Sequence, residues 1–223
     1  MSSDQALLSS RAAFPEASHA ARDGLRGRLQ PLLRVEGSSF KRYYWLDVSA
    51  LAQSLLKPGQ QLLATHYFTA RIRANGRNSA DQKRQNDYLE ALALRGVRCQ
   101  FGHYLQKTRQ CRQCGANWPD YEEKMTDVNI AIQLLGDAFD NAFDTALVIS
   151  GDSDLTTPIR RVRERFAQKR IVVAFPPSRY SNELKRCANG YLNIGEDKLR
   201  ASQLPEQLVK PDGYVLARPA TWR

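Results

Sequence analysis

The segment Thr145–Phe166, TALVISGDSDLTTPIRRVRERF, constrains the fold more than any other stretch of the chain. Ala146–Ile149 is an apolar, β-branched run that predicts a buried strand, and the run stops at Gly151. Two carboxylates follow at once, Asp152 and Asp154. Thr157 and Pro158 then supply the cap and first position of a helix, where the missing amide donor of proline is no loss. A strand running through a tight acidic loop into a helix is the unit of a parallel sheet, and open α/β sheets hold their ligands at that carboxyl edge. Carboxylates this close repel each other. They stay ionised together only where a cation or several donors compensate, and a divalent metal is the economical solution.

The same alternation runs through the middle of the chain. Tyr43–Val48 reads as a short buried strand that carries Asp47 near its end, and residues 49–56 read as helical. Gln61–Ile72 is a second strand leading into a basic loop. A helix over Ala80–Arg95 stops at Gly96, and Val97–Leu105 is a third strand. After a cysteine-containing segment comes an apolar helix over Asp127–Phe143. The acidic strand and its Arg-rich helix follow, then a strand over Lys169–Pro177, a short helix over Asn182–Ala188 and a short strand, GYLNI. This order predicts an α/β domain of three layers over residues 39–196, with a mostly parallel central sheet. Residues 1–38, rich in Ser, Ala and Arg, read as a flexible basic extension, and residues 197–223 as a C-terminal tail.

Chain totals narrow the function. The 223 residues suffice for one core with a small appendage. No apolar run approaches the ~18 residues needed to span a membrane. Residues 1–20 lack an apolar core of the signal-peptide kind, so the expected compartment is the cytoplasm. A net charge of +10 favours an anionic partner, nucleic acid being the commonest.

Carboxylates fall at three strand ends or helix starts: Asp47, Asp127 and the Asp152/Asp154 pair. In a doubly wound sheet these positions share one edge. Gathered there, the four would bind Mg²⁺ or Mn²⁺, which prefer hard oxygen ligands, and metal so held activates water for attack on phosphorus. The competing reading is that each aspartate only caps a helix or closes a turn.

The segments YYWLDVSAL, KRQNDYLEALALRGV, EEKMTDVNIAIQLLGDAFDNAFDTALVISGDSDLTTPIRRV and KRIVVAFPPSRYSNELKRCANGYLNI resemble the NYN family (LabA-like, also DUF88), a branch of the PIN-like nucleases. The pairing of TDVN with SGDSD is the specific part. The resemblance implies a PIN-like Rossmannoid fold, metal-dependent ribonuclease activity and RNA as partner. It places the acidic metal site on Asp47, Asp127, Asp152 and Asp154, with Asn129 and Ser150 beside them to orient substrate or water. One motif departs from the family pattern, Asp-Gly-x-Asn-Leu. This chain has Asp47-Val48-Ser49-Ala50-Leu51, which keeps the carboxylate and lacks the glycine and the asparagine. That departure keeps a second reading open: a catalytically inactive, RNA-binding or regulatory protein on the same fold. A phosphatase using the Asp152-Ser153-Asp154 spacing is a third.

Residues 99–122 read as an insertion carrying CRQCG, Cys111–Gly115. Two cysteines two apart can chelate one tetrahedral zinc. Cys99 and His103, on one face of a strand, are the nearest residues to complete a Cys99/His103/Cys111/Cys114 site. Free thiols or a redox pair are the alternatives. Arg71, Arg73, Lys83 and Arg84 form a basic cluster suited to phosphate, and Arg160–Arg170 form a second. Lys124, three residues before Asp127, is a further candidate for a phosphate contact. Trp118, Tyr121 and Tyr180 are candidates for stacking on bases.

Overall fold

The computed structural model describes residues 24–29, 42–72 and 79–222. A seven-stranded sheet forms its centre. In chain order the strands are β1 (Gly24–Leu29), β2 (Gln61–Ala70), β3 (Arg98–Gln110), β4 (Asn117–Lys124), β5 (Thr145–Ile149), β6 (Arg170–Phe175) and β7 (Gly190–Asn193). Across the sheet they run β4-β3-β2-β1-β5-β6-β7. Every neighbour pair is parallel except the β3–β4 hairpin. The helices α1 (Val48–Ser54), α2 (Ser79–Leu94), α3 (Thr126–Phe139), α4 (Thr156–Arg165), α5 (Asn182–Cys187) and α6 (Glu196–Ala201) alternate with them. The α/β class and the largely parallel sheet therefore agree with the sequence.

β5 is buried at all five positions, as expected of a parallel strand covered on both faces. Its residues divide by parity. Ala146 and Val148 join a cluster with Ile130 and Leu134 of α3, Ile159 and Val162 of α4, and Leu184 of α5. Leu147 and Ile149 join another with Leu51 of α1, Tyr88 and Leu92 of α2, and Leu199 of α6. One strand thus anchors two cores. At its end the chain turns into a 3₁₀ segment, Ser153–Leu155, and α4 starts at Thr156, slightly before the expected Thr157-Pro158 cap. Pro158 still lies in the first turn, where no helical donor is required.

Three expectations are corrected. Gly24–Leu29, placed by the sequence in a flexible extension, pairs with both β2 and β5 and forms the middle of the sheet. The remainder of 1–38 lies outside the described residues. Tyr43–Val48 is then displaced from the sheet, because β1 fills the position next to β5. It makes a single antiparallel bridge, Leu46 to Gln203, and its backbone is held by Asp47 N to Ser202 O (2.8 Å) and Leu204 N to Trp45 O (2.9 Å). Trp45 is fully buried and its indole donates to Pro205 O at 2.7 Å. Residues 197–223, expected as a tail, carry a hairpin of β8 (Gln207–Val209) and β9 (Val215–Ala217), and Trp222 packs against Trp45 and Tyr88. Among the described residues no helix is long and apolar enough to cross a membrane.

Removing residues 1–30 deletes the central strand. The truncated chain should lose its cooperative thermal transition, followed by circular dichroism. An unchanged midpoint would mean that the sheet closes without Gly24–Leu29.

Candidate active site

At the carboxyl edge of β5 and β6 lies an open cleft of about 340 Å³. Asp127, Asp152 and Asp154 line it, with Glu122, Glu123, Lys124, Thr126 and Arg179. Three of the four aspartates picked from the sequence therefore line one cleft.

Each is positioned by its local chain. Asp152 has extended backbone (φ −87°, ψ 120°), and its Oδ1 accepts from Asp154 N at 3.1 Å, which closes the 3₁₀ turn. Its own amide donates to Ser150 Oγ at 3.0 Å, and Ser150 is buried. So Ser150 shapes the acidic loop from beneath rather than lining the cleft. Gly151 must lack a side chain. A Cβ there would sit 2.8 Å from Arg179 Cβ and 3.2 Å from Arg179 C, so the loop after β6 could not close over it. Asp127 occupies the first turn of α3, where the helix dipole favours a negative charge. Met125 just before it takes a left-handed conformation (φ 74°), which turns the chain sharply from β4 into α3. Gly102 of β3 permits this corner, since a Cβ there would meet Lys124 O at 2.3 Å.

The cleft wall is electrostatically mixed. Lys107 and Lys124 both pair with Glu122 and hold its carboxyl down at about 2. Thr126 Oγ1 donates to Glu123. Asn129, expected beside the acids, donates through Nδ2 to Phe101 O at 3.3 Å.

Other sequence candidates lie elsewhere. Asp47 does not line the cleft. It is buried at the start of α1, accepts from the amides of Ser49 (3.0 Å) and Ala50 (2.9 Å), and pairs with Arg95 Nε at 2.7 Å. This follows from the displacement of Tyr43–Val48 out of the sheet. Val48, where the family pattern has glycine, is a buried core residue. Arg71 stacks over the Phe101 ring at 4.3 Å, at the end of β2. Lys83 pairs with Asp87 and Arg84 with Asp81 on α2 itself, and Arg73 lies outside the described residues. In the second basic run, Arg163 donates to Cys187 O and Lys169 is buried against Phe143 O.

The four-residue zinc site does not assemble. Cys99 and His103 stand near the start of β3, and Cys111 follows its far end. Eight residues of strand separate His103 from Cys111 by roughly 25 Å. Among the described residues no group of three or more His, Cys, Asp or Glu side chains is arranged to hold a metal ion. Sequence reasoning missed Arg179, Glu122 and Glu123. Their signals were present: EEK directly precedes the TDV motif, and Arg179 follows the Pro176-Pro177 end of β6 at the same sheet edge.

The NYN domain model matches residues 34–195, and the chain belongs to this family, one of nuclease-like proteins of RNA processing. The chain is also 27% identical to 6-hydroxy-3-succinoylpyridine 3-monooxygenase HspA of Pseudomonas putida, over 81% of this chain and 69% of that protein. A crystal structure of a protein of unknown function from Vibrio parahaemolyticus superposes with a TM-score of 0.53 at 20% identity. It covers 80% of this chain and 97% of its own, a likeness of fold.

Asp47 and Asp152 should separate in their effects. Asp47→Ala removes a cap and an ion pair and should cost about 1–2 kcal/mol by urea unfolding. Asp152→Asn keeps a cap acceptor and should leave the midpoint nearly unchanged. Equal losses would contradict these roles. The thiols should differ as well. Backbone amides of Cys114 and Gln113 and the Cys114 thiol pull Cys111 below the usual thiol range, whereas burial pushes Cys99 up to about 11 and also raises Cys187. A lower value leaves more thiolate at neutral pH, so iodoacetamide should label Cys111 well before Cys99 or Cys187 in a timed mass-spectrometric assay.

Proposed function

We propose that the protein is a metal-dependent endoribonuclease that hydrolyses RNA phosphodiesters in the acidic cleft. The observation that carries this reading is the meeting of Asp127, Asp152 and Asp154 in one cleft with Lys124 and Arg179 on its walls. The donor set suits Mg²⁺ or Mn²⁺. Mg²⁺ keeps several waters and is commonly bound through one or two carboxylates plus substrate phosphates, so an open cleft of separate carboxylates meets its needs where a closed protein cage is absent. One or two of Asp127, Asp152 and Asp154 would hold it, with substrate phosphate and water completing the shell. Such an ion supplies an activated water and offsets charge on the phosphoryl oxygens.

The chain's own residues do the rest. Arg179 and Lys124 meet the phosphate, Arg179 with a planar fork suited to two oxygens. Ser150 and Gly151 fix the Asp152 loop, so the carboxylates keep their aim without a large rearrangement. Asp154, exposed at the mouth, is the carboxylate with the widest access to a water. The excess positive charge of the chain brings RNA to the surface, with affinity that falls steeply with salt.

A second reading has its own support. Asp47 is tied to Arg95 outside the cleft, and Ala50 stands where the family pattern has asparagine. Both favour a binding-only member. The monooxygenase activity in the name of the Pseudomonas relative has less support, since the cleft is lined mainly by charged groups and suits a phosphodiester better than a pyridine ring.

The test is cleavage of end-labelled single-stranded RNA with Mn²⁺, Mg²⁺ or EDTA, wild type beside Asp152→Asn. Cutting should require the metal and fall by about 10²-fold or more in the variant. RNA that is bound but left intact by wild type would establish the binding-only reading. Turnover of 6-hydroxy-3-succinoylpyridine without RNA cleavage would overturn both.

A further inference from the structure

β3 leaves the body of the sheet after Gly102, the last residue paired with β2. From His103–Lys124 to Gln110–Asn117 it pairs only with β4. The outer ribbon reaches roughly 25 Å beyond the sheet at the usual rise of a strand. Leu105 to Gln110 are all exposed, as is Trp118 at 45%. A lone two-stranded ribbon is marginal in water, and among the described residues the outer part of this arm pairs in the sheet with nothing beyond its own hairpin.

Its tip is built for a different partner. Cys111 N donates to Ala116 O (2.8 Å) and Gly115 N to Cys111 O (3.0 Å), and Gly115 has φ +71°. Cys114 is exposed and Cys111 half-buried in this turn. Two cysteines therefore share one closed turn at the tip of the arm. A tetrahedral zinc site takes four such ligands. No third His, Cys, Asp or Glu among the described residues joins the pair, and Cys99 and His103 remain at the base of the arm.

We propose that Cys111 and Cys114 form half of a zinc site, completed by the same two cysteines of a second copy of this chain, so that one ion joins two hairpin tips about a two-fold axis. Four identical ligands from two identical turns satisfy an isologous interface. The arm keeps the two sheet bodies apart, so joining the tips requires no further surface. Zinc with four thiolates carries a double negative charge, and Arg109 and Arg112, which flank Cys111 in the sequence, bring positive charge to the same turn. Each thiol releases its proton to solvent as the ion binds, so assembly strengthens as pH rises through the thiol range. This site is separate from the acidic cleft and does not depend on the nuclease reading.

The experiment is a titration of the full-length, reduced protein with Zn²⁺, followed by sedimentation velocity, with Co²⁺ as a spectroscopic substitute. The expected result is a doubling of mass at one zinc per two chains, reversed by EDTA, with the intense visible bands of tetrahedral cobalt thiolate. Cys111→Ser and Cys114→Ser should each abolish both signals with unchanged circular dichroism, and Cys99→Ser should leave them intact. One zinc per chain without a change in mass, a dimer that persists in EDTA or in Cys111→Ser, or no metal uptake by the reduced protein would each overturn the proposal. RNA cleavage is measured separately in the acidic cleft, so failure here leaves that reading standing.

Discussion

Two absent Cβ atoms determine the cleft. At Gly151 the loop after β6 comes so close that even a methyl group would lie 2.8 Å from Arg179 Cβ, and at Gly102 the β4–α3 corner crosses β3 with Lys124 O 2.3 Å from the missing position. The first contact brings Arg179 over the Asp152 loop. The second lets Met125 turn and aim the start of α3, with Asp127, at the same space. The cleft is thus a meeting of backbones before it is a meeting of charges. A larger residue at either point would separate its walls, and rotamer changes could not restore the approach, since the obstructing atoms belong largely to the main chain and a Cβ.

What the sequence made legible depended on where each element finds its partners. β5, α3, α4 and β6 are written locally: continuous apolar runs for strands buried on both faces, and an acidic loop with a proline in the first helical turn. Asp127, Asp152 and Asp154, which these elements carry, line one cleft. Tyr43–Val48 looked equally strand-like, since a buried aromatic run satisfies the same pattern. Its backbone partners, however, are residues 202–204, more than 150 positions away, and no local periodicity encodes that pairing. β1 shows the opposite failure. Gly24 and Gly27 with Arg26 and Arg28 give GLRGRL neither an apolar run nor a strand propensity. Its place in the sheet comes from the two strands on either side. Asp47 was misplaced for the same reason, because its position followed from the strand assignment of its neighbours.

The cysteine segment failed on length. Parity along a strand correctly put Cys99 and His103 on one face, but the ladder to β4 runs on to Gln110 and carries the CxxC turn away from them. Spacing in sequence becomes distance at a rate set by secondary structure. Eight residues that would fold back in a loop are a long rod in a strand.

The electrostatics then acquire a shape. The chain carries a net +10, yet its cleft concentrates carboxylates. Several cations that looked available for a ligand are committed elsewhere: Arg95 to Asp47, Lys83 to Asp87, Arg84 to Asp81, Lys169 to buried oxygens. The remaining positive charge would act at long range to attract a polyanion, whereas the cleft's own carboxylates would repel one at contact. On the proposed nuclease reading, a small, hard cation held by the carboxylates would offset their charge and reconcile these opposed fields. On that reading, attraction by the whole surface and discrimination by the cleft would be separate tasks carried by different residues.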